Sequence, residues 1–378
     1  MTKIKNKYIA TTKLGLESVV ANELEALGFK DIRKEDARVI FYGDYYDLAR
    51  ACLWLRAAER VLMVVGEFEA KTFDELYENT KALNLKPCFT KDSFIHVNGK
   101  SAKSTLFSVS DCQSIVKKAI VDNLLSAFKT RVLTESGSRV IVEVGILRDQ
   151  VTIALDACGA GLSRRGYRIH NYEAPISETL GAAIVLLSRY NADIPLIDPM
   201  CGSGTMPIEA AMIARNMAPG LNRSFAAQEW HFVEKSIFAR AYEQARDSIL
   251  DIKPMILGSD IESRAIELSK QHAKNAKIMV DWKVMPVSQL SAEAKRGIIV
   301  CNPPYGERMM TKQQTIQLYK DMRTAFDALP IGWSKHIITS MLDFERVYGK
   351  RASKRRNLSS GGKRCTLYSY FGYSNNER

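Results

Sequence analysis

Gly297-Ile298-Ile299-Val300-Cys301-Asn302-Pro303-Pro304-Tyr305 is the stretch on which the fold turns. The apolar run up to Cys301 reads as a buried strand. The tetrapeptide that ends it suits a planar exocyclic amine. The Asn302 amide oxygen and the Pro303 carbonyl can both accept hydrogen bonds from an amino group whose lone pair is delocalised into a ring. That withdraws the pair from resonance and aims it at an electrophile. Paired prolines stiffen the turn, their carbonyls face no competing backbone donors, and Tyr305 offers a face on which a base can stack. Taken alone, a proline-stiffened loop explains the tetrapeptide equally well.

Outward from this stretch, strand, turn and helix repeat. Pro195-Leu196-Ile197-Asp198 leads through Gly202-Ser203-Gly204 to a helix over Ile208, Ala211 and Met212. Met255 to Asp260 leads to a helix around Ala265 and Leu268, and the loop after Asn302 leads to a helix over Leu318, Met322, Ala325 and Leu329. His336 to Thr339 and Cys365 to Phe371 add strands, while Leu180, Ala183, Ile184 and Leu187 mark one face of an earlier helix. This alternation predicts an α/β fold with a doubly wound, mainly parallel sheet, whose ligands lie beyond the carboxyl ends of the strands.

Asp198-Pro199-Met200-Cys201-Gly202-Ser203-Gly204-Thr205 lies between a strand and a helix, so its glycines let backbone amides approach a cofactor at a helix N-terminus. Thr205-Met206-Pro207 supplies no lysine for a phosphate loop, and Pro207 stands where a dinucleotide fingerprint wants glycine. The two carboxylate oxygens of Asp260 can accept hydrogen bonds from both hydroxyls of a ribose, a role compatible with capping the next helix.

The first half reads as two smaller units. A strand over Tyr8 to Thr12, a helix over Leu16 to Leu27 and a strand at Val39 to Tyr42 open the first. A helix over Leu48 to Ala58 and an extended run from Arg60 to Phe68 complete it. The second has a helix from Phe73, a strand from Ser93 to Gly99, a helix from Ser110 to Phe128 and a hairpin of Val140 to Gly145 with Val151 to Asp156. The glycine- and arginine-rich segment from Gly159 to Arg168 is the expected boundary between this second unit and the doubly wound part.

A length of 378 residues suggests two or three domains, and 46% hydrophobic residues suffice to pack them. No apolar stretch approaches the ~20 residues needed to span a bilayer, and Met1 to Lys7 leads into no signal-peptide core. The seven cysteines show no metal-ligand spacing and the histidines are dispersed. A soluble cytoplasmic protein with core thiols and no metal is expected. The charge of +12 points to a polyanionic partner, since cations that neutralise phosphates release condensed counterions.

The three motifs in this order resemble class I S-adenosylmethionine-dependent methyltransferases that act on amino groups of nucleic acids. With the upstream units and the Leu162-Ser163-Arg164-Arg165-Gly166-Tyr167-Arg168 junction, the whole chain resembles THUMP-domain RNA methyltransferases, of the type that modifies guanine N2 in bacterial 23S ribosomal RNA. That resemblance implies a ferredoxin-like α+β unit at 1–68, a THUMP RNA-binding domain at 69–158 and a Rossmann-like methyltransferase domain at 159–378. It implies S-adenosylmethionine as cofactor, bordered by Asp198, Cys201, Gly202, Gly204, Thr205, Asp260 and Ile261, with Asn302, Pro303, Pro304 and Tyr305 on the target amine. Glu178 is a further cofactor candidate, although an acid complementing the helix dipole explains it equally well.

Such enzymes often carry an acid after the third strand to accept the adenine amine. Here Met285-Pro286-Val287-Ser288-Gln289-Leu290 has none, and a backbone carbonyl or Gln289 is the substitute to look for. Lys100, Lys103, Lys117, Lys118, Arg164, Arg165 and Arg168 are the expected phosphate-tracking residues, and a further basic run spans Lys350 to Arg356. The partner implied is RNA, ribosomal RNA or a ribosomal precursor particle. Alternatives are a transfer-RNA guanine methyltransferase, a DNA adenine methyltransferase, and a silent RNA-binding or ribosome-assembly protein, against which the intact Asn-Pro-Pro-Tyr argues. Cys201 and Cys301 flank the site but need not react.

Overall fold

The computed structural model describes residues 5–168, 176–304 and 310–372. The chain runs β1 (Asn6–Thr12), α1 (Glu17–Ala26), β2 (Arg33–Glu35), β3 (Arg38–Gly43), α2 (Tyr45–Trp54), β4 (Ala58–Glu69) and α3 (Phe73–Lys81). It continues through β5 (Phe94–Ala102), α4 (Val109–Phe128), β6 (Arg139–Leu147) and β7 (Gln150–Asp156). There follow α5 (Glu178–Leu187), β8 (Leu196–Asp198), α6 (Thr205–Ala214), α7 (Lys235–Asp247), β9 (Ile256–Asp260), α8 (Ser263–Asn275) and β10 (Asp281–Val284). The last elements are β11 (Arg296–Cys301), α9 (Lys312–Asp327), β12 (Gly332–Thr339), α10 (Phe344–Tyr348), β13 (Lys354–Ser360) and β14 (Lys363–Tyr370).

Two compact units emerge. The first holds residues 5–12, Glu23–Leu162 and Ser224–Gln244, and the second Lys13–Asn22, Ser163–Arg223 and the chain from Ala245 on. The first is built on one seven-stranded sheet, β2-β3-β1-β4-β7-β6-β5. The long β4 pairs antiparallel with β1 along one edge and with β7 along the other, so the two small units expected from the sequence share a continuous sheet. The helix expected over Leu48 to Ala58 is α2, which stops at Trp54; Ala58 already belongs to β4.

The second unit carries the sheet β10-β9-β8-β11-β12-β14-β13, parallel from β10 to β12 and antiparallel in its last two strands. Lys354 to Arg356, read from sequence as part of a basic run, lie in β13, and Gly361 and Gly362, at φ 55° and 79°, make its hairpin turn to β14. The core around the site strands gathers Ile197, Ile299, Cys301, Tyr319, Met322, Phe326 and Trp333. Burial of Thr315, Tyr319, Met322, Ala325 and Phe326 follows helical spacing, and α9 is started by a capping box between Thr311 and Gln314. Among the described residues no helix is long and apolar enough to cross a membrane. Cys88 is half-buried and the other cysteines are buried.

Close contact fixes β11. A Cβ at Gly297 would sit 2.5 Å from the fully buried Trp333 ring, whose Nε1 donates to the Ala294 carbonyl at 2.8 Å. Gly297→Ala should therefore overpack this seam and lower stability by about 1–3 kcal/mol, read as a lower urea midpoint by tryptophan fluorescence.

Candidate active site

Register brings the sequence motifs together. Asp198 pairs with Gly258 across β8–β9, and Ile197 with Ile299 across β8–β11, so Asp198, Asp260 and Asn302 come from the ends of three adjacent parallel strands. Beyond these ends lies a cleft of about 530 Å³. Asp198, Cys201, Gly202, Thr205, Asp260, Ile261, Asn302, Pro303 and Pro304 line it. Pro303 is buried while Asn302 and Pro304 are part-exposed, so the loop opens onto the cleft as far as it is described. Tyr305 lies outside the described residues.

The two glycines of the loop differ. Gly202, at φ 53°, has no atom within 4 Å of where a Cβ would stand. Its amide donates to Asp260 Oδ2 at 2.9 Å, and its carbonyl accepts from Ser269 Oγ at 2.8 Å. Gly204, at φ 82°, is the N-cap of α6, and a Cβ there would meet the Trp282 ring at 2.8 Å and Ser269 Oγ at 2.9 Å. Gly204 does not line the cleft; it lets α6 pack closely. Asp260 is no helix cap. Glu262 occupies that position, and its amide donates to Asp260 Oδ1 at 3.0 Å.

Asp198 is 1% exposed, and among the described residues the Met200 amide, at 3.2 Å, is its donor. Burial pushes its carboxyl well above the usual carboxylate range, and the nearby charge of Asp260 adds to the shift. Burial likewise raises the Cys201 and Cys301 thiols, which keeps them protonated and poorly nucleophilic.

Three expected residues face elsewhere. Arg165 is 2% exposed, its Nε 3.4 Å from Glu209 Oε1, which also accepts from the Tyr167 hydroxyl at 3.2 Å. Held by an interior carboxylate, it does not present its guanidinium to a phosphate. Arg168 is turned inward as well: Nη2 donates to Thr205 Oγ1 at 2.7 Å and to the Ile176 carbonyl at 3.2 Å, and Nε lies 3.4 Å from Glu178 Oε1. Glu178, buried and paired in this way, does not line the cleft. Of the remaining basic residues, Lys100, Lys103, Lys118 and Arg164 are exposed, while Lys117 Nζ pairs with Glu135 at 3.1 Å.

Sequence reasoning missed Ile176, Met200, Ser203, Met206, Glu262, Met310, Leu318 and Asp321 as lining residues. Leu318 and Asp321 stand one turn apart on α9, a spacing that was available but names no cleft by itself.

Comparison with known proteins bears on this geometry. Residues 165–369 match the model of the RMKL-like methyltransferase domain. The chain belongs to the RMKL-like methyltransferase family. Ahead of this methyltransferase domain, residues 7–62 match the RlmL ferredoxin-like domain and 70–156 the THUMP domain. YpsC of Bacillus subtilis, a candidate RNA methyltransferase by name, is 42% identical over 97% of this chain and 96% of its own. The ribosomal RNA large subunit methyltransferase K/L of Photobacterium profundum is 32% identical over 97% of this chain. This chain spans 53% of that relative's length. A Listeria monocytogenes crystal structure, described as a predicted N6-adenine-specific DNA methylase, is 44% identical with a TM-score of 0.91, over 98% of this chain and 97% of that one. SMU.472, a candidate methyltransferase crystallised with SAH, is 38% identical with a TM-score of 0.91, over 99% of this chain and 100% of its own.

The methyl donor of this methyltransferase is S-adenosylmethionine. The residues present fit it: among the described residues the buried Asp198 carboxyl has the Met200 amide as its donor, which leaves acceptor capacity for a cationic or donor-rich group, and Gly202 leaves open space beside the Asp260 carboxylate. Asp198 also sets a pH test. A carboxyl raised in the folded state contributes stability below its ordinary range, near pH 4, and loses it as pH rises. Asp198→Asn should therefore raise the ligand-free Tm at neutral pH but not near pH 4, and should abolish most of the Tm gain from added SAH, as read by scanning fluorimetry.

Proposed function

We propose that this methyltransferase transfers the methyl group of S-adenosylmethionine to the exocyclic N2 amine of a guanosine in large-subunit, 23S ribosomal RNA. The observation that carries the reading is the presence of Asn302, Pro303 and Pro304 in one cleft with Asp198, Gly202 and Asp260. Acceptors for a flat amine and a cradle for a cofactor thereby share one space. In this reading Asp198, Cys201 and Gly202 border the cofactor's amino-acid part, Asp260 holds its ribose, and Asn302 with the Pro303 carbonyl orients the amine.

The cofactor supplies an electrophilic methyl group. The protein's contribution is alignment and exclusion of water, because the amine can lose its proton after attack and no strong base is required. The THUMP and ferredoxin-like matches favour RNA over DNA as substrate, and the name of the Photobacterium profundum relative supports the large ribosomal subunit. The name of the Listeria monocytogenes structure favours a second reading, adenine N6. Both bases present the same kind of amine, so nucleoside analysis separates them.

The test is mass-spectrometric mapping of ribosomal RNA from cells lacking the protein. Loss of N2-methylguanosine at one site of 23S RNA is expected. Loss of N6-methyladenosine instead, or loss confined to transfer RNA, refutes the assignment. In vitro, Asn302→Ala should lower methyl transfer by about 10²-fold or more while SAH affinity measured by calorimetry stays within a few fold.

The basic residues divide in the same way. Lys100→Ala with Lys103→Ala should weaken RNA binding and flatten its salt dependence. Arg168→Ala should leave the salt slope alone and raise the KM for S-adenosylmethionine severalfold, since Arg168 grips Thr205 and Ile176 in the cleft wall.

A further inference from the structure

A purine needs apolar surface on its faces and polar groups along its edge. Ile261, Pro286, Val287 and Leu318 give the cleft an apolar region. Val287 and Leu290 pack in one core with Tyr319 and Met322, and Leu318 lies against that core, which draws α9 against the turn that carries Ser288.

Four acids line the cleft among the described residues: Asp198, Asp260, Glu262 and Asp321. Asp198 and Asp260 end adjacent strands and accept from loop amides, and Glu262 starts α8. Asp321 is the acid that α9 contributes, one turn beyond Leu318 and on the helix that packs against Val287. Its Oδ1 accepts from Gln317 Nε2 at 2.8 Å, and its Oδ2 has no hydrogen-bond partner among the described residues. The segment from Met285 to Leu290 contains no carboxylate.

We propose that the Asp321 carboxylate accepts a hydrogen bond from the exocyclic 6-amine of the cofactor's adenine, and so selects adenine over a 6-oxo purine. The inference rests on the reading that this cleft holds S-adenosylmethionine. A carboxylate only accepts hydrogen bonds, which matches an amine and opposes a carbonyl oxygen. Selection at this edge thus comes from a helix after the Asn-Pro-Pro loop and not from the turn after β10.

Calorimetric titration of the full-length protein with SAH and with S-inosylhomocysteine, whose purine carries oxygen in place of the 6-amine, tests this. The wild type should bind SAH about tenfold or more tightly than the inosyl compound. In Asp321→Asn, which can donate as well as accept, SAH should weaken and the inosyl compound gain until the preference is largely lost. Asp321→Ala, which removes both the bond to the amine and the clash with the oxygen, should weaken SAH while the inosyl compound binds at least as well as to the wild type. Weakening of both ligands would indicate a general loss of the pocket and overturn the assignment. Unchanged discrimination in Asp321→Asn, with wild-type SAH binding intact, overturns the assignment and leaves the cofactor reading standing. Failure of the wild type to bind SAH overturns both.

Discussion

Asp198, Asp260 and Asn302 meet because β9, β8 and β11 are hydrogen-bonded side by side in parallel register. Side chains alternate faces along a strand, so a slip of one residue would turn Asp198 or Asp260 to the other side of the sheet. Backbone pairing thus sets the geometry, and packing on the flanks keeps it. Trp333 on the bare Gly297 backbone fixes β11 against β12, and the Gly202 amide on Asp260 joins the first loop to the second.

The same arrangement leaves an electrostatic cost at the centre. A carboxylate 1% exposed, beside a second acid and two buried thiols, is poorly solvated in the ligand-free fold. Burial of an under-paired acid opposes stability. It is tolerated where a ligand brings the missing donors, and this makes binding and stability two readings of one interaction. Neutral thiols at Cys201 and Cys301 add apolar bulk around it and offer no competing nucleophile.

Much of this was legible in the sequence because it is local. Periodicity marks α4, α9 and β11, glycine and proline mark their ends, and the strand-end acids follow from the alternation of strand and helix. What was not legible depends on lateral partners. Nothing within β4 says that β1 and β7 will flank it, and nothing in Ser224–Gln244 says that it packs with the first unit. Charge has the same weakness: Arg164 and Arg165 are neighbours in a basic run, yet one is exposed and the other is buried on Glu209. Composition counts cations without their directions. Asp321 is a parallel case, since the buried stripe of α9 is readable while the flank that meets a cleft is not.

The loop glycines show why motif and geometry must be separated. Read as a pair, Gly202 and Gly204 suggest two close approaches to a ligand. In the structure only Gly202 borders the cleft, and Gly204 is filled against Ser269 and Trp282. Yet both are needed for one outcome. Ser269 Oγ takes the Gly202 carbonyl and His272 Nδ1 lies 3.1 Å from that of Ser203, so the loop's acceptors are drawn toward α8. Close seating at Gly204 makes those bonds reachable. With those acceptors engaged there and the Gly202 amide held by Asp260, what the loop leaves facing the cleft is the open side of Gly202.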